Sequence, residues 1–141
     1  MTPQLLRNDR GSVAVETAVV APALVFFMLL VVYAGRISHL DASVQRAASE
    51  ASRAATLAGT PEAAHQTATD AARANLERTS TPCADLKIEI DTTDFRPGGS
   101  VTATIRCSTS MTDVALLGVP GSRTFIASST EVIDRFRGGT S

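Results

Sequence analysis

Residues 13–33 read VAVETAVVAPALVFFMLLVVY, from Val13 to Tyr33, and within these 21 positions only Glu16, Thr17 and Pro22 are not plainly apolar. A helix of about 20 apolar residues is long enough to cross the hydrocarbon core of a bilayer. The stretch is therefore expected to be a membrane anchor. Val32-Tyr33-Ala34 does resemble the small-residue cleavage site of a secretory signal peptide. The apolar region of such a peptide, however, runs for only about 7–15 residues, and here the helical pattern continues past the site without a break. Arg7 and Arg10 precede the run while Arg36, Arg46 and Arg53 follow it, so the balance of basic residues does not decide orientation. A short basic lead before an apolar segment places the start of the chain in the cytoplasm and exports the rest.

The chain around this segment has 141 residues, with 13 Lys+Arg against 14 Asp+Glu. A net charge so close to zero excludes a strongly basic nucleic-acid binder. Hydrophobic residues are 44% of the chain but aromatics only 4%, with no Trp, so the apolar content is mainly Ala, Val and Leu. Phe26, Phe27 and Tyr33 lie in the anchor, which leaves Phe95, Phe125 and Phe136 for everything downstream. A core so poor in bulky side chains needs a staple or a partner.

Beyond Tyr33 the pattern changes rather than stops. Ile37, Leu40, Val44, Ala47, Ala51, Ala54 or Ala55, and Ala58 recur at three- and four-residue steps, with Arg36, Asp41, Gln45, Arg46, Glu50 and Arg53 mainly off that stripe. The anchor is thus expected to extend into an amphipathic helix ended by Gly59. Thr60 then caps a second helix with Pro61 in its first turn and Glu62 favourable to its dipole. That helix runs to about Glu77 with Ala64, Ala68, Ala71, Ala72 and Leu76 as its apolar face, and Thr79-Ser80-Thr81-Pro82 closes it.

The remainder reads as β. Leu86, Ile88 and Ile90 alternate with polar residues, Arg96-Pro97-Gly98-Gly99 supplies a turn, and Val101, Ala103, Ile105 and Cys107 alternate again. Setting Ile90 opposite Val101 brings Cys83 nearly opposite Cys107 at the open end of the hairpin. A third strand is expected from about Thr124 to Ile133, with Val114–Val119 as a packed connection.

In an exported domain with little core, Cys83 and Cys107 read as a structural disulfide. The rival is a metal site, but His39, His65, Cys83 and Cys107 show none of the close spacings that zinc ligation uses. No nucleophile elbow, zinc-protease helix or phosphate loop is present in the sequence, so no catalytic residue, cofactor, small-molecule substrate or nucleic acid is expected and the chain is not read as an enzyme.

One short constellation carries more. In Arg10-Gly11-Ser12-Val13-Ala14-Val15-Glu16 a Gly precedes the apolar helix and a Glu follows five residues later. The bland account is that Ser12 caps the helix and Glu16 sits in early turns where the dipole favours a carboxylate. A capping box would place the acid at position 15, where there is Val15. A carboxylate within a membrane helix costs a few kcal/mol, roughly, unless it has a partner, which points to a role for Glu16 in assembly.

This junction resembles the leader junction of type IV pilins and pseudopilins. With Ala21-Pro22, Gly35-Arg36 and the run Ala47-Ala48-Ser49-Glu50-Ala51-Ser52-Arg53-Ala54-Ala55, the first third of the chain is similar to the TadE-like family of tight-adherence pilus assembly proteins. Leu116-Leu117-Gly118-Val119-Pro120-Gly121-Ser122-Arg123-Thr124 and Asp134-Arg135-Phe136-Arg137 are similar, more loosely, to actinobacterial members. Two positions depart from the pattern. Ser12 stands where pilins often have a bulkier apolar residue, and Thr17 where an aromatic is usual. The resemblance implies a minor pilin or pseudopilin of a Flp/Tad pilus, cut between Gly11 and Ser12 by a prepilin peptidase. Its implied partners are other pilus assembly subunits, pilins and the cytoplasmic membrane.

The expected architecture is α+β and pseudopilin-like: a long N-terminal membrane-spanning helix, a second helix and a small antiparallel sheet. Residues 1–11 form a cytoplasmic leader, 12–35 the transmembrane helix, 36–58 its exported continuation, and 59–141 the second helix with a disulfide-linked β domain. The competing function is a monomeric, signal-anchored domain that binds a secreted or envelope partner.

Overall fold

A computed structural model of the chain describes residues 10–110 and 121–136. The expected packed connection at Val114–Val119 and most of the leader lie outside the described residues. The elements are α1 (Arg10–Leu57), α2 (Pro61–Arg78), β1 (Asp85–Asp94), β2 (Ser100–Ser110) and β3 (Ser122–Val132). The fold is α+β, with one antiparallel sheet in the order β1-β2-β3. Two compact units divide the chain, 1–37 and 38–141.

In the first unit α1 passes through Pro22 without ending. Pro22 offers no N–H to the carbonyl of Ala18, an omission that helices of membrane proteins tolerate. The helix begins at Arg10, so Ser12 lies in its first turn and is not the cap. Nothing between Arg10 and Val13 is a strong helix breaker, and a single Gly costs only about 1 kcal/mol in a helix that long propagation sustains.

The second unit is built from small side chains. On α1, Val44, Ala47, Ala51 and Ala55 are buried as the three- and four-residue stripe requires, but Ser43, Ala48 and Ser52 are buried beside them. The buried face is therefore wider than one stripe, and Ser52 donates its hydroxyl to Ser129 Oγ of β3 at 3.1 Å. α2 starts at its expected cap, where Thr60 Oγ1 accepts from the Ala63 N–H at 3.2 Å. Ala64, Ala68, Ala72 and Leu76 are buried on it, together with Asn75, which the apolar pattern had not marked. Its end is closed by Thr81 N–H donating to the Leu76 carbonyl at 3.0 Å, with Ser80 at a φ of 50°. α2 packs on β1.

The alternation expected along the strands is present. Ile90, Val101, Ala103, Ile105, Cys107, Phe125 and Ala127 are buried on one face of the sheet. On the other face hydroxyl pairs bridge β2 and β3, with Thr102–Thr130 and Ser108–Thr124 at 2.8 Å and Thr104–Ser128 at 3.1 Å. The hairpin register differs from expectation by two residues, because Ile90 pairs with Ala103 and not Val101. A slip of two leaves every side chain on its own face. The ladder closes on Asp94–Ser100 around a five-residue loop, and one extra residue on β1 between Asp91 and Asp94 makes a bulge beside it. At the bulge Thr93 N–H donates to Asp91 Oδ1 at 3.0 Å. That bond, then the Thr93 hydroxyl, holds the Asp91 carboxyl below the usual carboxylate range. Its contribution is present above the unfolded-state pKa and is lost as the pH falls through the lower folded one.

The loop itself depends on glycine. Gly98 adopts a φ of 79°, and its N–H donates to the Ile133 carbonyl at 2.9 Å, while Ile133 N–H donates to the Gly99 carbonyl at 2.8 Å. A Cβ on Gly99 would collide with the backbone carbonyl of Asp94. Gly99→Ala is accordingly expected to destabilise the second unit by about 2–3 kcal/mol in thermal or denaturant unfolding. Gly59→Ala, whose added Cβ meets nothing within 4 Å, should stay within about 0.5 kcal/mol of the parent. Equal effects from the two substitutions would refute this account of the loop.

Candidate functional site

The residues singled out from the sequence fall in two places. Glu16 belongs to the 1–37 unit, and Cys83 and Cys107 to the 38–141 unit. Gly11 and Ser12 are in the first turn of α1, and their side chains lie outside what is described.

Around Glu16 the helix presents a continuous apolar surface. Every residue from Val15 to Arg36 is exposed, with Phe27 at 62% and Met28 at 69% of full accessibility. Its most apolar 18-residue window has a mean hydropathy of 2.4, and none of that window is buried. Exposed hydrophobic surface on this scale is unstable in water and marks a surface for lipid or for other helices. α1 is the one helix among the described residues long and apolar enough to cross a membrane. Glu16, with Thr17, Val20, Ala21 and Leu24, lines a shallow concavity on its flank. Spacings of four place Glu16, Val20 and Leu24 in one row of the helix and Thr17 and Ala21 in the next. A carboxylate at the head of an apolar groove can receive a cationic group from a neighbouring chain, and the row behind it can seat that neighbour's aliphatic side chains.

The cysteines come together as expected. Cys83 and Cys107 form a disulfide with a Cα–Cα distance of 5.2 Å. They are not cross-strand neighbours, since Cys107 pairs with Leu86. Ala84 N–H still donates to the Ser108 carbonyl at 2.7 Å, and just before it the chain leaves the ladder and turns Cys83 toward Cys107. Among the described residues no cluster of His, Cys, Asp or Glu is arranged to hold a metal ion.

Two polar groups in the second unit carried no signal in the sequence. Ser43 Oγ and Asn75 Oδ1 are buried without a hydrogen-bond partner among the described residues. Such atoms are uncommon in a folded core. In the sequence they stand one position beside the apolar stripes at Val44 and Leu76, where a periodicity count passes over them.

Taken together, the exposed apolar helix with an acidic group near its start suggests a single-pass membrane anchor in a chain that also carries a small disulfide-linked α+β domain. Residues 11–53, a stretch that comprises nearly all of α1, match the model of the TadE-like protein family. No curated protein and no solved structure matches the chain.

Proposed function

We propose that the protein is a minor pilin or pseudopilin of a Flp/Tad type IV-like pilus and that it assembles through α1. The supporting observation is that the TadE-like match falls on a helix whose side chains from Val15 to Arg36 are all exposed and almost all apolar. A surface of that kind has two partners in sequence, lipid before assembly and neighbouring helices after it. Residues 1–11 are the cytoplasmic leader, removed by a prepilin peptidase between Gly11 and Ser12. The 12–35 segment lies in the cytoplasmic membrane, and residues 36–141 are outside, in the compartment where a disulfide such as Cys83–Cys107 persists. Other pilus assembly subunits and pilins are its partners, and Glu16 sets their register.

Mass spectrometry of the protein's N-terminus in its native host tests this reading. A mature chain that starts at Ser12 is expected. A start at Met1, or a cut near Ala34, would exclude prepilin processing and leave a signal-anchored or secreted domain.

A further inference from the structure

β3 is an edge strand. It pairs with β2 without a break from Ser122–Ser110 to Val132–Ser100, and no strand among the described residues lies along its other side. Long open edges are usually blunted by Lys, Pro or a bulge. β3 has eleven residues and none of these. Its charged residues are Arg123 and Glu131, each four positions from Ala127, so both project on the same sheet face as Ala127.

Neither charge has an ion-pair partner among the described residues. Opposite them on β2 stand Thr109 and Val101. Arg123 lies over the Phe125 ring at 5.7 Å, and Glu131 forms no ion pair with a described residue. Eight residues of strand separate them by about 27 Å, too far to meet each other. A single charge on an edge repels an added strand, but opposite charges placed symmetrically about one residue select a particular one. In a second copy of β3 running antiparallel about a two-fold axis at Ala127, Arg123 faces the second copy's Glu131, and the pair occurs twice. Parallel in-register pairing would oppose like charges, which is unfavourable. The same antiparallel register sets Thr124 opposite Thr130, a hydroxyl pair like those that already join β2 to β3.

We propose that the exported domain associates with a second copy of itself through β3, two three-stranded sheets joining into one of six strands centred on Ala127. This contact is independent of the pilus function proposed above, because it is read directly and not through piliation.

The test uses the full-length chain in membranes, as two tagged forms carrying Ile126→Cys and Ser128→Cys. Both positions are exposed on the hydroxyl-bearing face, away from Cys107 on the buried one, and the two-fold register sets them opposite each other across copies. Mild oxidation is expected to give a mixed-tag disulfide dimer, with much less product from either form alone. Arg123→Glu in both copies should cut that yield roughly tenfold, since both ion pairs become repulsive. Adding Glu131→Arg should restore it. Restoration cannot come from refolding within one copy, given the separation of the two positions. Absence of the mixed dimer, a yield unaffected by Arg123→Glu, failure of the double reversal to restore it, or crosslinking to a different protein in its place would each overturn the proposal.

Discussion

Removal of the disulfide by the double substitution Cys83→Ala/Cys107→Ala is expected to lower the stability of the second unit by about 3.5 kcal/mol, the value the chain-entropy relation assigns to a closed loop of this size. The bridge joins residues 24 apart. For a domain of about 100 residues that loss corresponds to a fall of roughly 15–25 °C in Tm. The expectation is large because the core offers little to offset it. α1 and α2 bury chiefly Ala and Ser, and the largest fully buried side chains among the described residues are Ile105, Val44 and Val101. Alanine is preferred to serine at these positions because Cys107 is completely buried, and a hydroxyl there would add the cost of an unpaired polar group to the cost of the lost bridge. Insertion of α1 into the membrane should be unchanged. A thermal transition within a few degrees of the parent would show that packing alone holds the domain.

Glu16→Gln is expected to leave expression, membrane insertion and leader removal near normal while incorporation into the pilus assembly falls sharply. On the proposed cut after Gly11, the Ser12 α-amine would be largely protonated at neutral pH, at the start of an apolar helix. Such a charge in lipid needs a partner. Within one helix the amine and Glu16 are about a turn apart, but a terminal amine points away from the axis, so the carboxylate of a staggered neighbour is better placed to receive it. Val20, Ala21 and Leu24, which line a shallow concavity with Glu16, would offer that neighbour apolar contacts. On the proposed function such a pair would offset the cost of carrying Glu16 in the membrane and would supply register more than affinity. Gln keeps size and hydrogen bonding and removes only the charge. The measurement is co-purification of the variant with other pilus components, together with counts of pili. Wild-type levels of both would reduce Glu16 to a carboxylate favoured by the helix dipole.

Much of this molecule is legible in its residues. The 21-residue apolar run, the Thr60-Pro61-Glu62 start of α2 and the alternation on either side of Gly98-Gly99 each rest on a local cause: helix length against bilayer thickness, a side-chain cap, or the two-residue period of a strand. The disulfide was legible for a simpler reason, there being two cysteines in a chain read as exported. Other features escaped the same reasoning. The helix start at Arg10 sets aside the bland account in which Ser12 is the cap, because propagation outweighs one unfavourable glycine. Ser43, Ala48 and Ser52 were not marked as core, because a periodic count finds apolar side chains and not small polar ones that a neighbouring element covers.

The helix and strand segments, the apolar face of each strand, the place of a helix apolar enough to cross a membrane and the pairing of two cysteines follow from interactions within a few turns of chain or from composition, and so could be read from the residues alone. The strand register is set by long-range packing. Ile90 faces Ala103, beyond the five-residue loop and the bulge at Asp91–Asp94, Ser52 meets Ser129 across 77 positions, and β3 is left at the edge of the described sheet with Arg123 and Glu131 set symmetrically about Ala127. Each of these depends on where distant strands and helices settle against one another. A two-residue shift changes every partner while leaving the local pattern of buried and exposed positions intact, so the alternation in the sequence is the same for either register.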